Sequence, residues 1–503
     1  MGHTDGQVLE IGARLREGPS PRLVQAAFRK ELEAQLDLFE AMSQADLAHT
    51  LMLADSGLIP PTPGRELLAA LLDLHEGPAD FSPVPDLGDL YTNREAWLAR
   101  RTPSVGWLGA GRARRDATTT AFLMRVRERL LDLGGALVEA GSALVERARH
   151  FQGSPMSDYT YWQSAQPTSF GHYLLGFVHP LLRDLDRLRA LYGRVNLCPA
   201  GCGSSNGSRL FQDRQQLADW LGFEGLVAHA RDAMWEADLP IESLSLAATA
   251  MVNLNRLAED LQVFATSEFA LVELDDSHAR ASKIMPQKKN PFALTHVRGL
   301  ANGLIGELAG AVAAGRTASG QPDNRLMLYG AVPKALGDAA DAASLMAEVL
   351  QRLVFREEHA ARGLEQGFAL ATDLAEVLVG ECGLDFREAH RLVGSLVREH
   401  LAVGNFDGLT AGAIAEAAED LLQRRIELSE AGLRDALNVR SALEARSQPG
   451  GAAAGPMADM LADCEQRLRE AAAWQGARRQ QLLGAGARLL ERARAFAAGD
   501  SGP

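Results

Sequence analysis

Along most of this chain apolar residues return every three or four positions, the spacing that puts them on one face of an α-helix. The stretch "LVQAAFRKELEAQLDLFEAMSQADLAHTLMLADSGL" keeps that period and stops at Gly57, shortly before Pro60 and Pro61, as a helix end should. A looser segment rich in Pro, Gly and Asp follows, from about 77 to 115. Long helical stretches then begin near 116, and further ones are expected over 167–195, 228–268, 291–318 and 327–363. Their lengths approach or exceed 30 residues, well above the mean of about 11–12. One long amphipathic helix cannot bury its own stripe, so such helices assemble into a bundle. Beyond Gly367 the helices shorten and break more often, "SQPGGAAAGP" (447–456) punctuates the chain, and a last Arg-, Ala- and Leu-rich helix runs to about 498. No segment alternates apolar and polar residues convincingly enough to read as a strand. The expected architecture is all-α in three parts: an N-terminal helical domain (1–110), a central long-helix bundle (111–366), and a C-terminal helical domain with an extra C-terminal helix (367–503).

Composition narrows the function classes. Aromatic residues are only 6% of the chain, which favours helix over sheet. A net charge of -14 excludes non-specific nucleic-acid binding, which needs a basic surface to displace counterions, and keeps a large oligomer soluble. The four cysteines are too few for a disulfide framework. Cys198 and Cys202 stand four apart without the His or Cys partners of a zinc set, so no metal is expected. The opening "MGHTDGQVLEIGARL" has no apolar core, and Asp5 and Gly6 suit lipidation at Gly2 poorly. No run of about 18 apolar residues occurs, so the expectation is a cytoplasmic protein with no membrane partner.

Against this acidic background "RASKIMPQKKNP" (280–291) concentrates cations around one hydroxyl. A free hydroxyl is a poor base, so Ser282 would need its alkoxide stabilised by loop N–H groups and the Lys288 ammonium. Lys288 and Asn290 suit a carboxylate, or the doubly charged aci-carboxylate left when a neighbouring C–H is removed. Composition alone equally allows a solvated basic loop. Two other stretches carry similar chemistry. In "GRARRDATTT" (111–120), Arg114 offers a bidentate fork for a carboxylate; the alternative is a helix start in which Asp116 meets the positive helix end. In "DYTYWQSAQP" (158–167), Thr160 is either a ligand hydroxyl or an internal turn hydroxyl.

"SKIMPQKKNP" resembles the signature loop of the fumarase/aspartase superfamily, and "MPQKKNP" resembles that of the argininosuccinate lyases. The other two stretches, "TSEFALVELDD" (266–276) and "TDLAEVLVGECGLDFREAH" (372–390) extend the likeness from about residue 27 to 475. The resemblance implies an all-α homotetramer with a twenty-helix core. Each of its active sites would gather the three stretches from three subunits. It also implies elimination of a C–N or C–O bond beta to a carboxylate, releasing fumarate, with no metal or organic cofactor. On that comparison Ser282 takes the Cβ proton, Lys288 and Asn290 stabilise the aci-carboxylate, and Arg114, Thr160 and Gln166 hold a small dicarboxylate substrate. Arg112, Asp116 and Thr120 also match the family pattern.

The departures are directional. Tyr161 stands where the family has a histidine, and Thr295 where it has the glutamate that holds that histidine. A buried glutamate without its partner would be an uncompensated charge, so joint loss is physically sensible. Tyr161 then becomes the candidate proton donor, a weaker acid than imidazolium. Arg115 replaces a carboxylate-binding asparagine, and Lys283 the loop's second serine. Arg325, Gly330 and Pro333 align with a tyrosine, a glutamine and a lysine, with Tyr329 and Lys334 nearby as partial substitutes. Arg115, Lys283 and Arg325 are thus cations at neutral positions. A charge pair about 4 Å apart is worth about 4 kcal/mol at intermediate dielectric, enough to redirect preference. The expected substrate is therefore an N-substituted aspartate or substituted succinate more anionic than argininosuccinate, such as nitrosuccinate or an aminopolycarboxylate. A genuine argininosuccinate lyase with a divergent site and a catalytically silent, crystallin-like structural paralogue are the alternatives.

Overall fold

The structure, a computed structural model, describes residues 8–499. Gly2, where lipidation was weighed, lies outside them. The chain forms α1 (Phe39–Asp55), α2 (Pro61–His75), α3 (Leu90–Ala99) and the 37-residue α4 (Arg114–His150). The hairpin β1 (Pro155–Thr160) and β2 (Gln163–Ser169) follows, then α5 (Val178–Val195) and α6 (Asp238–Phe264). A small ribbon of β3 (Arg280–Ala281) and β4 (Lys289–Asn290) precedes α7 (Phe292–Gly315) and α8 (Leu328–Arg352). The chain then continues through α9 (Ala371–Cys382) and α10 (Phe386–His400) to α11 (Ala454–Ala498).

Helix boundaries follow local chemistry. Gly57 takes a left-handed φ of 71° after α1, and Pro61 sits at the first position of α2, where its missing N–H is not needed. In α4, Asp116 lies in the first turn and Arg147, Arg149 and His150 in the last, matching the helix dipole at both ends. At 37 residues α4 spans about 55 Å. It packs along α8, α6 lies against α7 and α8, and α5 bridges α4 and α6. One continuous apolar core runs through α1, α2 and the long helices. A separate one lies within 374–436. The last helix, α11, buries Met457, Leu461, Cys464, Leu468 and Leu489 in the larger core, against α4, α2 and α5. We retain the boundaries at 110 and 366 as a proposed division.

The all-α class expected from the sequence is what forms, but three element expectations need correction. The first is the 327–363 helix, which ends at Arg352 and resumes as Glu357–Glu365 after the short strand Val354–Phe355. Strand pairing does occur. The segment expected to be helical from 167 starts as β2, paired antiparallel with β1, and helix begins only after Ser169, whose hydroxyl accepts the His172 N–H. The period-2 signal was weak because these strands carry polar residues that stay exposed near the tip. The expected 228–268 helix is two helices, Ala230–Trp235 and α6, separated at Glu236. Glu236 is extended there, and its carbonyl accepts hydrogen bonds from Asn324 and Arg325, both at 3.2 Å.

Candidate functional site

The three chemistry-bearing stretches occupy three different places on one chain. The signature loop is a short hairpin: Arg280 and Ala281 pair with Asn290 and Lys289, the Asn290 amide donates to the Arg280 carbonyl at 2.9 Å, and the Ser282 N–H donates to the Lys288 carbonyl. Inside it the Ser282 hydroxyl oxygen accepts the N–H groups of Met285 at 3.0 Å and Ile284 at 3.4 Å. Two donors aimed at one oxygen stabilise negative charge on it, which is what an alkoxide base requires. Lys289 is committed elsewhere, to Asp276 at 2.7 Å and Glu273 at 3.4 Å. Lys283 and Lys288 are exposed and make no ion pair among the described residues. Arg280 stacks on Phe292 at 3.9 Å. Lys288 and Asn290 line a cavity of about 680 Å³ with Thr266, Ser267, Glu268 and Arg356.

The second place is the start of α4. Arg114, Arg115, Arg325 and Tyr329 line a cleft of about 270 Å³ together with Glu31 and Asp89. Arg114 is largely exposed and lies 3.2 Å from Asp89, whose other oxygen caps α3 at the Thr92 N–H. Burial raises the Glu31 carboxyl, Asp89 adds to the rise, and Arg114 opposes it. Arg115 is held flat: it stacks on Trp235 at 3.7 Å and donates to the Met234 carbonyl at 2.8 Å and Asn324 at 3.3 Å. Arg325 is completely buried and paired with Glu236, yet its Nε and Nη1 have no hydrogen-bond partner among the described residues. Gly330 comes so close to the Ala34 backbone that a Cβ would lie 2.9 Å from its carbonyl oxygen. Lys334 points away, to Asp338 on the same helix.

The remaining matched residues of this stretch are anchors. Arg112 binds Asp46 at 2.6 Å, beside Arg94 on the same carboxylate at 2.8 Å. Asp116 is buried and accepts the N–H groups of Gly203 at 2.7 Å and Gly201 at 3.3 Å. Burial pushes its carboxyl up to about 6, against the pull of Arg112. Thr120 bonds back to the Asp116 carbonyl. Cys198 and Cys202, in the loop so anchored, are free thiols pushed by burial up to about 12 and about 11. No group of three His, Cys, Asp or Glu side chains among the described residues could hold a metal ion.

The third place is the tip of the β1–β2 hairpin. Thr160, Tyr161 and Gln166 are exposed there and line neither cavity. Sequence reasoning missed Glu31, Asp89, Trp235 and Glu236. Asp89 carried a usable signal, as an acidic cap before "LYTNREAWLA". Glu236 carried none, since its partner is distant in sequence.

Comparison with known proteins places the chain as a whole. A family described as "Lyase" matches residues 95–306, and one described as "Argininosuccinate lyase C-terminal" matches 368–444. The argininosuccinate lyase of Methanoculleus marisnigri is 33% identical over 475 residues, covering 94% of this chain and 96% of its own. That of Frankia casuarinae is 35% identical over 472 residues, covering 92% and 98%. Among solved structures, EDDS lyase in complex with formate superposes with a TM-score of 0.86 at 27% identity, covering 96% of this chain and 97% of that one. An EDDS lyase variant with bound fumarate gives 0.87 with the same identity and coverage. The class II fumarase of Schistosoma mansoni, 15% identical with a TM-score of 0.68 over 87% of this chain and 94% of its own, shares the fold. The chain therefore belongs to the argininosuccinate lyase family of the fumarase/aspartase superfamily, and is by that membership a carbon–nitrogen lyase.

Proposed function

We propose that this lyase eliminates an amine or other nitrogen leaving group from an N-substituted aspartate or substituted succinate and releases fumarate. The observation that carries this reading is the Ser282 oxygen, which accepts two backbone N–H groups inside the signature loop. As an alkoxide it would remove the Cβ proton. The exposed Lys288 ammonium and Asn290 would stabilise the aci-carboxylate, and collapse of that dianion would expel the nitrogen group with the C–N electrons. Arg114, Thr160 and Gln166 would hold the carboxylates, and Tyr161 would return a proton to the departing nitrogen. The neighbour with bound fumarate supports that product.

A substrate more anionic than argininosuccinate is the finer part of the proposal. Support comes from Arg115 and from the unpartnered N–H groups of Arg325 beside the cleft. Glu31, Asp89 and Glu236 offset part of that positive charge, so the preference rests on geometry as well as on the number of cations. Absorbance near 240 nm after mixing the enzyme with nitrosuccinate, aminopolycarboxylates and argininosuccinate tests it. Fumarate from an anionic succinate and none from argininosuccinate is expected. Arginine release at ordinary rates would return the chain to argininosuccinate cleavage, and no fumarate from any of them would favour a silent paralogue.

The proposal includes a homotetramer with sites shared by three subunits. It is supported by the separation of the three stretches and by an exposed small-residue face on α7. There Gly299, Gly303, Gly306 and Gly310 have open space, and Phe292, Ile305 and Val312 are exposed. Light scattering at the mass of four 54.0 kDa chains is the expected result. A cytoplasmic setting is also proposed, supported by four free cysteines.

A further inference from the structure

The β1–β2 turn has a conformation its residues do not favour. Thr160 pairs with Gln163, which leaves Tyr161 and Trp162 as a two-residue loop. Their φ angles are 54° and 58°. A two-residue hairpin turn with both residues left-handed is the type I′ pattern, for which Asn and Gly are the usual occupants. A tyrosine followed by a tryptophan holds that conformation only if surrounding structure over-determines it.

The surrounding structure is aromatic. The Trp162 ring meets Phe264 edge-on at 6.4 Å and Phe269 at 6.1 Å. Tyr159 meets the same two rings at 5.7 and 5.4 Å. Tyr173 adds a contact to Phe264 at 5.5 Å and donates its hydroxyl to Asp260 at 2.9 Å. The hairpin tip is thereby fastened to the C-terminal end of α6 and the turn after it. The two loop residues part ways: Trp162 is 43% exposed and fastened, while Tyr161 is 97% exposed.

We propose that Trp162 is a positioning residue, clamping the left-handed turn so that Tyr161 is presented in one fixed orientation to the substrate of a shared site. This rests on the reading of Tyr161 as proton donor. The clamp confines a side chain that would otherwise sample many directions, so it acts on the frequency of productive geometry.

The test uses the full-length assembled enzyme with three substitutions. Trp162→Gly removes the ring but places glycine where a type I′ turn favours it, so the fold is not strained further. Trp162→Phe restores an aromatic ring, and Tyr161→Phe removes the hydroxyl. Hydrogen exchange of amides 159–164 needs no substrate. Trp162→Gly should exchange at least about tenfold faster there, and Trp162→Phe should remain within about twofold of the parent. With whichever panel succinate yields fumarate, Trp162→Gly should lower kcat at least about tenfold while KM moves less than about twofold. Unchanged exchange in Trp162→Gly overturns the clamp. A fall in kcat for Tyr161→Phe but not for Trp162→Gly overturns positioning and leaves the donor role standing. Faster exchange in Trp162→Gly with an unaffected Tyr161→Phe overturns positioning by removing the donor role, while the turn remains clamped.

Discussion

Arg325 and Glu236 form an ion pair almost sealed from water, their side chains 0% and 8% exposed, and the pair joins the short helix Asp323–Leu326, just before α8, to the break before α6. Burial raises the Glu236 carboxyl and Arg325 opposes that rise. Arg325 therefore carries its own counter-ion into the protein interior. Removing one member of such a pair strands the other charge in a low dielectric, which costs roughly 3–5 kcal/mol. Arg325→Tyr alone should destabilise the protein by about that much, and Arg325→Tyr with Glu236→Gln should recover most of it. Denaturant unfolding of the single and double variants measures the coupling; a double variant no better than the single one would show that the two residues are independent.

Ser282 makes its contacts through its oxygen as an acceptor, and the loop's backbone ladder does not depend on that side chain. Ser282→Ala should lower kcat by about 10³-fold or more with substrate binding largely intact. Stopped-flow fumarate absorbance and calorimetric titration separate the two effects. Turnover at parental rates would remove Ser282 from the chemistry.

Thr295 is exposed and its hydroxyl donates to the Pro291 carbonyl, while Tyr161 is 97% exposed. Restoring the family pair with Tyr161→His and Thr295→Glu should reduce turnover of the native substrate by about tenfold or more. Equal or better kcat/KM in the double variant would mean that no new relay had replaced the old one.

The Ala34 backbone leaves no room for a side chain at Gly330. Gly330→Gln should force α8 away from the segment before α1 and cost roughly 1–3 kcal/mol. Gly330→Ala should already show part of that loss in the thermal midpoint. A neutral Gly330→Gln would show that residue 34 gives way easily.

Asp116 predicts a pH signature. Its folded value of about 6 lies above the value of an unfolded aspartate, near 4. Between these values the folded chain holds the proton more tightly, so this group's contribution to stability is full below pH 4 and is lost as pH rises through 6. The thermal midpoint of the parent minus that of Asp116→Asn should therefore fall between pH 4 and 6 and stay level from about 6.5 to 8. A difference that is flat across the whole range would place the Asp116 carboxyl at its ordinary value.

The helical class and the long helices were legible because a 3.6-residue period is written locally, and each such helix needs neighbours to cover its stripe. The signature loop was legible for a similar reason: an Oγ, backbone donors and Lys288 are close together in sequence. The hairpin was hidden because its register is set by pairing across a turn that Tyr161 and Trp162 do not advertise. The sequence by itself determined the fold class and which groups were available for chemistry. Tertiary structure decided which of those groups remain available: Arg112 and Asp116 are spent on anchoring, Lys334 on Asp338, and one nitrogen of Arg325 on a glutamate 89 positions away. The reason is electrostatic, because a charge leaving water takes whichever partner the fold brings beside it, and no local pattern names that partner.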